Sequence, residues 1–399
     1  MPLRMPLRTL KKQIWLLATC VMLAVTFNPD WNSSSIIWWG CIAVFGLSYA
    51  FYKEFKINIK FNIADMWMAG FIFFSALSIL YAAHKEATID SLKTLMVMFF
   101  VCCLIGKEIK KQETLREMLW VTFFSLLIVA TYLYLYVDFN SFVLTRIGAA
   151  DTGRWNVNDI GIMASIGILI GIMLFRDTNR LMKLLLIFLI PFLLFLDVMA
   201  ASRKAILMLV ICLCGMRILN NPTKLVRNIL FITLGVCLTM YLIFEVPFLY
   251  ELIGWRMEGM IALLRGEPTV ADSSSITRAM MLNSAMQTFY DNPIFGVGMN
   301  NFRFFNIVRV TYAHNNFAEI AADLGILGLT AYYWIFLYII KNYLKKYELH
   351  DKMMNFLFVI IMVYLMNHMA LVTITDMLQC IFISLYTAYS RVGNTERFT

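Results

Sequence analysis

Long apolar runs separated by short polar connections dominate the chain, and the runs are continuous rather than alternating in and out. They lie near residues 14–27, 36–52, 64–83, 92–106, 117–137, 158–175, 181–198, 204–219, 228–247, 324–343, 353–371 and 374–390. A helix of roughly 20 apolar residues crosses a hydrocarbon core of about 30 Å. Uninterrupted apolar segments satisfy their backbone groups in lipid only as helices, whereas barrel strands would alternate. The pattern predicts an all-α integral membrane protein of about twelve spans. Runs 181–198 and 204–219 are so close that they must form a tight hairpin at 199–204. The expected organisation has three parts: 1–247 with spans 1–9, a large polar loop at 248–323, and 324–399 with the last three spans and the C-terminal tail.

The 248–323 loop is 76 residues long, and a structureless connection of that length would be unusual. Ser275 is a suitable N-cap for a helix over Ile276–Tyr290, which Asp291-Asn292-Pro293 would end. Gly254–Leu264 reads as a shorter amphipathic piece with Trp255 at headgroup level. A Pro-Gly turn follows at Asn292–Gly298, and a last helix is expected from about His314 through Glu319 and Asp323 to Gly325.

Composition sharpens the class: 61% of residues are hydrophobic and 15% charged. The net charge of +9 does not call for nucleic acid, because basic residues flanking spans are expected from topology alone. With a cytoplasmic N-terminus, 23 of the 34 Lys and Arg fall on the cytoplasmic side, the even span count returns the C-terminus there, and the large loop lies outside. The basic start precedes an apolar run with no small-residue cleavage site, which predicts a retained first helix. All eight cysteines sit in apolar runs and read as packing residues, with neither a disulfide framework nor a metal site. The large loop contains Arg256, Arg265, Arg278, Arg303 and Arg309 and no Lys. Topology is indifferent to which cation is used, whereas the guanidinium fork binds phosphate or carboxylate bidentately.

Four sequence elements resemble the O-antigen ligase and polymerase family of bacterial envelope glycosyltransferases. His314-Asn315, nine residues, Gly325, two residues and Gly328 follow the ligase signature. Ala201-Ser202-Arg203-Lys204-Ala205 resembles the family's Ser/Thr-Arg-Gly/Ala hairpin, although Lys204 departs from it. Asn292–Gly298 resembles its Pro-Phe-Gly-x-Gly turn, and Asn156-Val157-Asn158 an Asn-x-Asn of many members. The resemblance implies a GT-C-like protein of the bacterial inner membrane that transfers a glycan from undecaprenyl diphosphate on the periplasmic face, with no metal and no cofactor. The acceptor would be lipid A core, a protein or a second lipid-linked glycan. It also implies that His314 and Arg203 are catalytic and that Arg256 and Arg278 join Arg203 on the diphosphate.

The chemistry of these residue types agrees. Fixed guanidinium groups stabilise the charge growing on a diphosphate leaving group. Histidine titrates near neutrality and suits a general base that takes the acceptor hydroxyl's proton. In-line attack would invert the anomeric centre. Arg278 is expected in the catalytic set, with Asn315, Arg309, Arg154 and Asn158 as further contacts. The bland alternative for His314 is a cap on the following helix. His84, His350 and His368 are expected at interfaces. Within the family reading, ligase and repeat-unit polymerase share these motifs. A polysaccharide transporter or flippase would instead require midplane charges and an internal two-fold repeat, neither of which is evident.

Overall fold

In the computed structural model of the chain, the described residues are 7–32, 35–56, 61–136, 156–200, 202–255, 257–258, 273–308, 310–345 and 351–392. Every regular element among them is helical. The principal helices are α1 (Leu7–Phe27), α2 (Ser35–Tyr52), α3 (Ile63–Leu77), α4 (Lys85–Glu108), α5 (Gln112–Tyr136), α6 (Val157–Phe175) and α7 (Arg180–Ala200). They continue as α8 (Arg203–Asn220), α9 (Leu225–Glu245), α10 (Ser273–Asp291), α11 (Asn316–Lys345), α12 (Lys352–Asn367) and α13 (Met377–Tyr389). Among the described residues, eight helices are long and apolar enough to cross a membrane, and three more, over 36–52, 352–367 and 377–389, are shorter apolar helices. The protein is therefore a helical membrane protein. The hairpin's second arm, α8, carries Arg203 and Lys204 in its first turn and Arg217 in its last.

The chain divides into two compact units. One takes residues 1–60 and 110–253, with the last four residues. In it Trp15 of α1 is fully buried against Tyr49 and Tyr52 of α2, at 5.4 and 5.7 Å between ring centroids. Lys12 pairs with Glu117 of α5 at 2.6 Å. Helices α6 and α7 approach closely through glycine: a Cβ on Gly167 would lie 2.9 Å from Leu193 Cδ1, and one on Gly171 would lie 3.1 Å from Ile190 Cγ1. Lipid gives no hydrophobic drive for helix pairing, so close packing over small residues supplies the contact energy.

The other unit takes residues 61–109 and 254–395. Asn62 and Asp65 form a reciprocal capping box at the start of α3. Trp67 Nε1 donates to the Tyr332 carbonyl of α11 at 2.8 Å. Every residue of α13 is buried, so this helix is the unit's axis rather than a lipid-facing face. Gly106 of α4 meets it through Ser384, whose Oγ donates to the Cys102 carbonyl at 2.9 Å.

Candidate functional site

The polar stretch after α10 is built around a break in α11. Gly325 interrupts that helix with φ 64° and ψ −162°, a conformation open essentially to glycine alone. Breaking a helix frees carbonyls and N–H groups that must find partners elsewhere. The turn from Pro293 to Gly298 provides them: Val297 N–H donates to Ala322 O at 3.0 Å, Gly298 N–H to Asp323 O at 2.7 Å, and Ile326 N–H to Pro293 O at 2.9 Å. The two backbones touch. A Cβ on Gly296, itself at φ 68°, would fall 2.4 Å from the Asp323 carbonyl. Gly328 is constrained by the same break, since a Cβ there would meet Leu324 Cβ at 2.1 Å.

Two buried carboxylates on the first turns of α11 fix the loop before it. Asp323 accepts the backbone N–H groups of Asn300, Asn301 and Phe302 at 2.7, 3.0 and 2.7 Å, so the short helix Phe302–Phe305 hangs from one side chain. Glu319 Oε2 accepts Ala313 N–H at 2.6 Å, holding the residue before His314. Arg303 acts electrostatically on both carboxylates and bonds to Asn300 Oδ1, while its buried Nε has no hydrogen-bond partner.

His314 sits between two anchors. Ala313 is held by Glu319, and Asn315 is the true cap of α11: its Oδ1 accepts Ala318 N–H at 3.0 Å and its Nδ2 donates to Met369 O at 3.2 Å. The helix begins at Asn316, two residues later than expected, so His314 does not have to serve as a cap. It lies at φ 56°, left-handed and rare for a non-glycine residue, with its half-buried ring 4.4 Å from Tyr312. A strained backbone persists where surrounding contacts over-determine it, and such positions cluster at functional sites.

Arg278 belongs to α10, which starts at Ser273. Ala285 and Leu282 of that helix pack on Ala313, Ala318 and Ala322 in one apolar cluster. Seven residues are nearly two full turns, so Arg278 shares the Ala285 face that turns toward Ala313.

The hairpin element lies in the other unit. Ser202 caps α8, accepting Ala205 N–H at 3.4 Å, and its hydroxyl donates to Asn158 Oδ1 at 3.0 Å. Asn156 caps α6 by accepting Asn158 N–H at 3.0 Å. The Asn-x-Asn and Ser-Arg elements, 44 residues apart, are thus one contact. Arg203 is the first residue of α8, half-buried at a helix N-terminus where the dipole favours anions. Beside it, a Cβ on Gly161 would lie 2.7 Å from Ala205 Cβ, and buried Asp197 takes the Ser165 hydroxyl at 2.8 Å.

Arg154, Arg256 and Arg309 lie outside the described residues, as does most of the 254–264 piece. Glu319 and Asp323 were expected only as members of the last loop helix, and Asp197 near an outer span end without need of burial; all three are buried and hold these sites together. His368, expected at an interface, is fully buried. His84 is exposed and stacks on Phe304 at 3.8 Å.

These features define a polytopic membrane protein with a polar, arginine-bearing loop built on a broken helix. Residues 187–333 match the O-antigen ligase family model. The match takes in Arg203, Arg278, the Pro293–Gly298 turn and the stretch from His314 to Gly328. No curated protein matches the chain.

Proposed function

We propose that the protein is a glycosyltransferase that moves a glycan from undecaprenyl diphosphate to an acceptor hydroxyl on the periplasmic face of the bacterial inner membrane. The observation that carries this reading is His314 held at φ 56° between two anchored neighbours, in a loop whose cations are all arginine. An acceptor O–H gives its proton to the His314 imidazole as its oxygen attacks the anomeric carbon. The new C–O bond forms as the bond to the diphosphate breaks, and the bonding pair leaves on the phosphate oxygen. Arg203, Arg256 and Arg278 stabilise that charge. One in-line displacement inverts the anomeric centre, and the products are the glycosylated acceptor and undecaprenyl diphosphate.

Ligase and polymerase differ only in the acceptor. Purified protein incubated with undecaprenyl-diphosphate glycan and, separately, lipid A core or a second lipid-linked glycan is expected to transfer to one of them. The general-base contribution is on the order of 10²–10⁴-fold, so His314→Ala is expected to lose at least about 10² in rate. No transfer to either acceptor, or full activity of the histidine variant, overturns the assignment.

A further inference from the structure

Beneath the His314 loop lies a polar network that the proposed chemistry does not use. Asn316 Nδ2 donates to Tyr333 Oη at 2.9 Å, and Tyr333 Oη meets His368 Nδ1 at 3.2 Å. His368 Nε2 meets Gln379 Oε1 at 2.8 Å, and Gln379 Nε2 donates to Tyr332 Oη at 2.8 Å. Tyr332 Oη donates to the Thr373 carbonyl at 3.5 Å, and the Thr373 N–H returns to Asn316 Oδ1 at 2.8 Å.

The bonds close into a ring with one sense of donation. Gln379 uses its amide N–H on Tyr332, so its oxygen faces His368 and must accept. His368 then carries its proton on Nε2, which leaves Nδ1 to accept from the Tyr333 hydroxyl. Tyr333 accepts from Asn316 while donating to His368. Every member both gives and receives, which a charged imidazole would disrupt by presenting a second N–H to Tyr333. Asn316, His368 and Gln379 are 0% exposed and Tyr332 and Thr373 1%, whereas Tyr333 is half-buried. Buried networks of this kind fix geometry when fully satisfied and are costly when half satisfied.

The ring also grips the segment that carries the base. Besides its side-chain bonds, Asn316 donates its backbone N–H to the His368 carbonyl at 2.7 Å. Its neighbour Asn315 bonds to Met369 O, and Phe317 stacks on Tyr333 with centroids 4.5 Å apart and planes 7° apart. Three consecutive residues after His314 are therefore locked to the 368–373 segment and to α11.

We infer that the closed ring of Asn316, Tyr333, His368, Gln379, Tyr332 and Thr373 is a positioning device that holds His314 in its left-handed conformation, with Tyr333 and His368 as positioning residues for transfer. This rests on the reading of His314 as the base. On this reading the ring's members hold the base rather than bind the donor, so breaking the ring lowers turnover and leaves donor affinity unchanged.

Tyr333→Phe opens the ring at one hydroxyl without altering shape. Tyr343→Phe is the matched control: it lies on the same helix and removes one buried bond, to Asn355 Oδ1 at 2.8 Å, outside the ring. The expected result in glycan transfer by the purified full chain is a kcat at least tenfold lower for Tyr333→Phe with KM for the lipid-linked donor within twofold. Tyr343→Phe should stay within twofold of the parent in both constants, with similar thermal midpoints for the two variants. Equal kcat for both variants, or a loss confined to KM, overturns the positioning role while transfer by the parent and its loss in His314→Ala still stand. Absence of transfer by the parent would instead defeat the underlying reading. If Tyr333→Phe does not fold, His368→Gln, which keeps a donor and an acceptor, is expected to retain more kcat than His368→Ala; equal loss in the two refutes the ring.

Discussion

Gly325 and Ile294 meet backbone to backbone: a Cβ on Gly325 would lie 2.2 Å from the Ile294 carbonyl oxygen. Contacts below 3.0 Å are not made by real Cβ atoms, so the first glycine of the ligase signature is a packing requirement of the Pro293–Gly298 turn, not a loose helix breaker. Gly325→Ala is expected to cost at least about 3 kcal/mol, adding backbone strain to overpacking. Gly70→Ala, in open space within α3, should be neutral or slightly stabilising, by up to about 1 kcal/mol. Thermal unfolding in detergent reads both, and equal midpoints would refute the contact.

Asp323 gathers three backbone N–H groups at the start of the helix Phe302–Phe305. An amide keeps the size and loses the charge that makes those bonds strong. Asp323→Asn should lose about 1.5–3 kcal/mol and loosen residues 299–312. Limited proteolysis is the check: cleavage within 299–312 should rise well above the parent, and an unchanged pattern would show that the loop does not depend on Asp323.

If Arg203 and Arg278 bind the diphosphate, charge alone will not replace them. Arg203→Lys and Arg278→Lys keep the cation and lose the planar fork, so each is expected to lower kcat/KM at least about tenfold. Lys204→Ala, next to Arg203 on the first turn of α8, should change it less than about threefold. Transfer assays over a range of donor concentration separate these outcomes; lysine variants as active as the parent would remove bidentate binding from the mechanism.

If guanidinium groups neutralise the diphosphate charge, no step depends on a divalent cation. Transfer should survive excess chelator at an unchanged rate. Activity lost to chelator and restored by Mg²⁺ would require a different electrophile.

The helical class was legible because apolar runs of this length admit only helices in lipid. The His314–Gly328 signature and the Pro-Phe-Gly turn were visible as separate motifs. That they are one structure was not, since the left-handed glycines and shared carbonyls that join them leave no mark in hydropathy. The polar residues of the ring were equally silent. Tyr333 and Gln379 each read as one polar residue in an apolar run, and nothing local says that each faces the other's neighbours. His368 was expected at an interface because it ends an apolar run; the 368–376 connection instead folds inward and buries it. Asn158 and Ser202 were singled out independently, and their hydrogen bond needed coordinates to appear.

The short axis helix α13 has a geometric consequence. Thirteen residues rise only about 20 Å, a third less than a hydrocarbon core of about 30 Å. Irregular backbone at membrane depth survives only when protein supplies its hydrogen bonds. In the 368–376 segment, the carbonyls of His368, Met369 and Thr373 and the N–H of Thr373 are all taken up by Asn316, Asn315 and Tyr332. The floor under His314 is therefore irregular backbone whose polar groups are satisfied by Asn315, Asn316 and Tyr332 rather than by a helix.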